Sequence, residues 1–185
     1  MRIACFFILA LLAAAAGADE TPIFPGHPGK DVIWAPTPPA LVEKMLDMAK
    51  VGPGDFLMDL GSGDGRIVIA AARRGARALG VEYTPELVEM ARRNAAEAGV
   101  SDLATFVQGD MFEADISKAT VFGLFLLSEN LRKLAPKFLA MPPGTRIVNN
   151  GYKIDGWQEV ETGVAGDCGV WCTAYLYVVP ARKQP

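Results

Sequence analysis

One short segment constrains the fold of this chain more than any other: Asp59-Leu60-Gly61-Ser62-Gly63-Asp64-Gly65, three glycines in five positions directly after an apolar run. Asp55 to Leu60 reads as a short buried strand, and Arg66 to Arg74 as a helix with small apolar residues on one side. A strand, a glycine turn and a helix in immediate succession belong to an α/β sheet whose ligand sits at the carboxyl ends of the strands. Glycine lets the backbone turn sharply there and approach a ligand closely, and the next helix aims its N-terminus at the same place.

The rest of the chain continues that alternation. Helical spacing of Leu41, Met45, Leu46 and Ala49 predicts a helix over 39–50, ended by Val51-Gly52-Pro53-Gly54. Strands are expected at Arg77–Glu82, Ala104–Gln108, Ala119–Leu127 and Thr145–Asn150. A helix opens at Thr84-Pro85, with a capping hydroxyl before Pro at the first helical position, and runs to about Ala98. Ser128 is placed to cap another helix, which Pro136 should kink or end. The tail offers a short strand near Gln158–Val164 and a long one at Val170–Val179, joined by a turn over 165–169. The expected architecture is α/β, with a mainly parallel seven-stranded sheet and a C-terminal antiparallel hairpin.

Acidic residues gather at the predicted strand ends. Glu82 closes the second strand, where a carboxylate can accept both hydroxyls of a ribose. Glu82 follows Ala-Leu-Gly-Val and should be half-buried, so a partner for its charge is implied. Beyond the third strand, Asp110 is placed to accept from an adenine amino group, with Met111 or Phe112 against the ring; its bland alternative is a turn cap. Asp64 reads as an exposed loop residue. A dinucleotide site fits less well. In G-x-G-x-x-G the third glycine falls one place later than Gly65, and Asp59 suits a cationic amino-acid moiety better than a pyrophosphate. Trp34 and Trp157 read equally well as core or site aromatics.

Asp59 to Gly65, Gly80-Val81-Glu82 and Gly109-Asp110 resemble the motifs of the class I S-adenosylmethionine-dependent methyltransferases. A closer resemblance spans nearly the whole chain after residue 18. Pro36-Thr37-Pro38 before a helix, Asp59 to Val68, and Gly144-Thr145-Arg146-Ile147-Val148 ahead of Trp157 are similar to the family that includes the ATP synthase c-subunit lysine methyltransferase and its bacterial relatives. The resemblance implies a Rossmann-like methyltransferase fold with S-adenosyl-L-methionine as cofactor. It implies that Asp59, Gly61 and Gly63 line the methionine part, that Glu82 holds the ribose and Asp110 the adenine, and that Thr37 closes the pocket. Ser62, Gly65, Tyr83 and Met111 complete the candidate cofactor set. The chain departs from the family pattern on the acceptor side: Leu126-Leu127-Ser128-Glu129-Asn130 lacks Pro before the acid, and strand five ends in Asn149-Asn150.

Methyl transfer from a sulfonium is an in-line displacement that relies on positioning and exclusion of water. The only histidine, His27, lies in the N-terminal irregular stretch, so no histidine base is expected at the strand ends unless that segment folds over the site. An amine acceptor needs only to lose its own proton, and a desolvated site lowers a lysine pKa unaided. The expected acceptor is therefore an amine nitrogen such as protein lysine, with Glu129 and Asn150 as the candidate catalytic residues. A small-molecule methyltransferase, or a noncatalytic exported protein that keeps the fold, are the alternatives. A net charge of -3 without a cationic cluster argues against nucleic acid as partner.

Residues 1–18 read as a signal peptide or an N-terminal membrane anchor, with an apolar run from Ile3 to Ala16 and small residues Ala16-Gly17-Ala18. The expected location is exported or membrane-anchored, with membrane association through that segment if it is retained. Residues 19–38 should be irregular, and 39–185 form the methyltransferase domain. Cys168 and Cys172 are four apart, roughly 13 Å along an extended strand, so separate thiols are expected unless the chain turns at Gly169. Two cysteines and a distant histidine make no metal site, and none is expected.

Overall fold

The computed structural model describes residues 35–181, and the elements below all belong to the unit Pro36–Pro185. Residues 1–18, expected to be a signal peptide or membrane anchor, His27 and Trp34 lie outside the described residues.

The chain forms α1 (Pro39–Met48), β1 (Phe56–Leu60), α2 (Arg66–Arg73), β2 (Arg77–Glu82), α3 (Pro85–Glu97), β3 (Ala104–Gln108), β4 (Val121–Leu124), α4 (Ser128–Ala140), β5 (Arg146–Asn150), β6 (Glu161–Val164) and β7 (Thr173–Val178). A single 3-10 turn, Gly169–Cys172, precedes β7. The seven strands make one sheet in the order β3-β2-β1-β4-β5-β7-β6. β1 to β5 are parallel. β7 runs antiparallel between β5 and β6. Strand order reverses between β1 and β4, which opens a crevice at their carboxyl ends.

Both faces of the sheet are covered, and therefore β1, β4 and β5 carry apolar side chains on both faces, with Asp59, Arg146, Asn149 and Asn150 confined to the strand ends. Leu57, Val121, Val148 and Leu176 pack with α1, α2 and α3 on one face. Met58, Phe122, Ile147 and Tyr177 pack with Leu131, Leu134 and Phe138 of α4 on the other. Each fully buried side chain of this size contributes about 1.5–3 kcal/mol of burial. At the opposite end from the crevice, Arg146 pairs with Asp55 and donates to the Ala49 carbonyl (2.5 Å) at the end of α1. Burial works against the Asp55 charge. Hydrogen bonds from Thr120, Arg146 and the Gly52 N–H outweigh it and hold the carboxyl below its ordinary range.

Four expectations need correction. β4 is shorter than 119–127, because Leu126 leaves the ladder to bond the Asn149 amide. Ser128 is the first residue of α4 rather than its cap, and of the two effects expected of Pro136, a kink or an end, the end does not occur, since Pro136 sits inside the helix. Pro136 and Arg132, whose carbonyl loses its partner there, both face solvent, where water substitutes. Thr84 occupies the cap position of α3, but its hydroxyl makes no capping bond. Cys168 and Cys172 are bridged rather than separate: the 3-10 turn replaces the extended strand and brings their Cα atoms to 5.2 Å, and positive φ at Gly166 and Gly169 permits it.

Candidate active site

Asp59 is the fourth residue of β1, and there the loop begins. The Gly61 and Ser62 N–H groups both donate to the Val81 carbonyl (2.7 and 3.1 Å), folding the loop back over β2. Gly65 has φ +83° at the entry to α2. A Cβ there would lie 2.7 Å from the Phe106 ring and 2.9 Å from Ala91, so the helix packs this closely only over glycine. Gly80 serves Ser62 in the same way, since a Cβ would come within 2.5 Å of the Ser62 hydroxyl.

Glu82 organises the loop from the next strand. Its two carboxylate oxygens accept from the Gly63 N–H and the Thr84 N–H, each at 2.9 Å. Asp64 is buried rather than exposed, correcting the sequence reading, because Arg66 wraps it in an ion pair at 2.6 Å. The same guanidinium donates to the Thr37 carbonyl (2.9 Å), tying the segment before α1 to the loop.

Among the described residues, three buried side-chain atoms lack a hydrogen-bond partner: Asp59 Oδ1, Ser62 Oγ and Asn150 Oδ1. All three belong to the carboxyl-end region of β1 and β5. Burial pushes the Asp59 carboxyl well above its usual range, and the charges of Glu82 and Asp64 push it further. A buried carboxylate with two acidic neighbours and an open oxygen fits a ligand that brings positive charge.

The structure therefore brings Thr37, Asp59, Ser62, Glu82 and Asn150 into one connected cluster. Asn150 is fully buried at the end of β5, and its amide N–H faces the Thr37 hydroxyl at 3.4 Å. Met111 and Leu126 flank Gly61, 3.8 and 3.7 Å from where its Cβ would stand. Asp110 is half-buried; its carboxylate accepts from the Phe112 N–H (2.9 Å), so it does fold its own turn. Tyr83 is exposed, with its carbonyl facing the Gln108 amide at 3.4 Å. Glu129 does not join the buried cluster: its exposed side chain pairs with Lys133 one turn along α4 (2.9 Å). Trp157 packs on Tyr177 in the core beneath α4.

Asn149, named from the sequence only as an acceptor-side departure, has a bracing role that sequence reading missed. Its amide accepts from the Leu126 N–H (3.0 Å) and donates towards the carbonyls of Leu126, Asn150 and Tyr152. It holds the β4–α4 connection against the end of β5. A polar pair at the end of an apolar strand was the available signal. No cluster of metal-ligating side chains occurs among the described residues. A groove between α1, α2 and α3, lined by Val42, Glu43, Ile69 and Arg73, contains none of the orphaned atoms.

An acidic, glycine-floored crevice at the switch point of this sheet order places the chain among the Rossmann-like S-adenosylmethionine-dependent methyltransferases. Residues 59–161 match the ANTKMT methyltransferase domain, and the chain belongs to that family. It is 41% identical over 155 residues to a protein-lysine N-methyltransferase of Saccharolobus islandicus, covering 82% of this chain and 96% of that one. It is 34% identical over 141 residues to the ATP synthase c-subunit lysine N-methyltransferase of Mus musculus, covering 75% of this chain but only 56% of the mouse protein. A crystal structure described as an RNA methyltransferase from Salinibacter ruber, in complex with S-adenosyl-L-homocysteine, superposes with a TM-score of 0.75 and 47% identity, covering 81% of this chain and 97% of that one.

Proposed function

We propose that this enzyme transfers a methyl group to the side-chain nitrogen of lysine in a protein. The observation that carries the reading is Asn150, a fully buried amide whose oxygen has no partner at the acceptor-side end of β5. An amide oxygen accepts from an amine N–H and orients the nitrogen, but it takes no proton. Such a site suits an acceptor that sheds its own proton on desolvation, and lysine does so. The names of the Saccharolobus and mouse relatives support the same acceptor.

Within this reading, Asp59 faces the cationic amino-acid end of the cofactor and Glu82 accepts from the ribose, while Asp110, Tyr83 and Met111 flank the adenine. Ser62 and the backbone of Gly61, Gly63 and Gly65 form the floor, and Thr37 closes the crevice from above. When bound, S-adenosylmethionine supplies a methyl group on a positively charged sulfur. The protein contributes orientation through Asn150 and Thr37 and exclusion of water through Met111 and Leu126.

The description of the Salinibacter structure favours a second acceptor, RNA. A net charge of -3 with no cationic run supports protein instead. Incubating the full chain with methyl-labelled cofactor and a lysate, then fractionating protein, RNA and small amines, decides between them. Label on protein lysine is expected; label in RNA or in small amines alone overturns the reading.

Residues 1–18 support export of the chain, and the Cys168–Cys172 bridge agrees with an oxidising compartment. Mass analysis of the amino terminus in cell fractions tests this; an intact Met1 in the cytosolic fraction removes the export reading.

A further inference from the structure

Trp171 is nearly half exposed, at 46%, in a domain whose Phe122, Phe138 and Tyr177 rings are fully buried. It is nonetheless fixed. The Cys168–Cys172 bridge closes the 3-10 turn that carries it, and Cys172 is itself buried. Its ring meets Phe125 edge-on at 5.7 Å and Tyr152 edge-on at 6.1 Å. Phe125 follows β4, and Tyr152 lies two residues beyond Asn150.

This aromatic group adjoins the acceptor end of the crevice. Between Asn150 and Tyr152 stands Gly151, where a Cβ would lie 3.6 Å from both the Phe125 ring and the Val170 carbonyl. The Gly151 N–H donates to the Thr173 carbonyl (2.8 Å), which ties the end of β5 to the start of β7 directly after the bridged turn. The orphaned oxygen of Asn150 and three aromatic rings therefore share one short stretch of strand ends. Aromatic faces attract ammonium groups, tryptophan most strongly, and prefer them to neutral groups of the same shape.

We propose that Trp171, with Phe125 and Tyr152, forms a bridge-held aromatic wall that receives the acceptor lysine as its ammonium at the solvent-exposed side. The proton passes to water as the side chain leaves the wall, and the neutral nitrogen then reaches buried Asn150. This rests on the lysine reading of the acceptor. The rings act on the acceptor and not on the cofactor, so they set the Michaelis constant for the amine and leave cofactor affinity alone. Methylated lysine stays cationic, and the wall should hold it as well.

The test uses the full chain with n-butylammonium as a mimic of the lysine side chain, and neutral butan-1-ol as its control. Indole fluorescence is read at constant ionic strength in the wild type and in Trp171→Ala and Trp171→Phe. Butylammonium should perturb the Trp171 signal while butanol at equal concentration does not. Trp171→Ala should raise the Michaelis constant for a lysine peptide about tenfold, Trp171→Phe should restore part of it, and S-adenosylhomocysteine affinity should not change. Equal responses to butylammonium and butanol, or an unchanged Michaelis constant in Trp171→Ala, overturn the wall while leaving lysine methylation standing. Selective butylammonium binding by an enzyme that labels no lysine supports the wall and refutes the acceptor reading instead.

Discussion

Replacing Glu82 by Gln removes one acceptor oxygen and puts an NH2 group in its place. In the wild type each carboxylate oxygen is committed to a backbone N–H, of Gly63 on the loop and of Thr84 at the entry to α3. The amide can satisfy only one of these and sets a donor against the other. Hydrogen bonds to charged groups contribute about 1.5–3 kcal/mol, so the loss should lower stability by roughly that amount even without ligand. For a chain of this length that is a fall of roughly 3–12 °C in Tm. Under the proposed ribose-holding role, the ribose would lose a charged acceptor as well, a further factor of roughly ten to one hundred in S-adenosylhomocysteine affinity. Calorimetric titration and thermal melting of the same preparation separate the two effects. If both Tm and affinity stay within error of the wild type, neither the loop-organising nor the ribose-holding role of Glu82 survives.

Other sites give sharper contrasts. Asp59→Asn should weaken S-adenosylhomocysteine binding while stabilising the ligand-free protein. Its raised native pKa means that the proton's stabilising contribution is complete below 3.8 and fades as pH rises through the native value, so urea melts should show the gap between variant and wild type widening with pH. A parallel pH dependence in both proteins would refute the assignment. Gly65→Ala should cost about 2–5 kcal/mol, combining a left-handed backbone with a collision against Phe106, and a melt unchanged within a degree would contradict it. Asn149→Ala leaves the buried Leu126 N–H without a partner, at a cost of about 1–3 kcal/mol, and hydrogen exchange should accelerate at 125–128.

How far the sequence revealed the molecule depended on the range of the forces involved. β2 and β3 have the bounds read from the sequence, and α1 to α3 agree within about two residues, because local apolar spacing and glycine stops decide them. The cluster of Asp59, Ser62 and Glu82 was legible too, since a loop at a strand end fixes its neighbours. What failed was long-range. Asn149 acts on Leu126, 23 residues away in the chain, and nothing local marks β4 as ending early. Asp64 looked exposed until Arg66, itself held by the Thr37 carbonyl, covered it. Glu129 lay at the right place in the order of elements, but the turn of α4 directs it to Lys133 and solvent. The cysteine bridge required a 3-10 turn within a stretch that otherwise spelled strand.

The placement of β7 between β5 and β6 bears on how the protein is made. As the chain leaves the ribosome, β6 emerges before β7 and pairs with no other strand of the sheet. Until β7 arrives, β5 presents an unpaired edge and the core beside Val148 and Ile147 stays uncovered. Such an edge recruits strands from other molecules as readily as its own. The interval between synthesis of β5 and insertion of β7 is thus the period of greatest risk of aggregation, and substitutions in β7 should reduce soluble yield more than they reduce the activity of the molecules that fold.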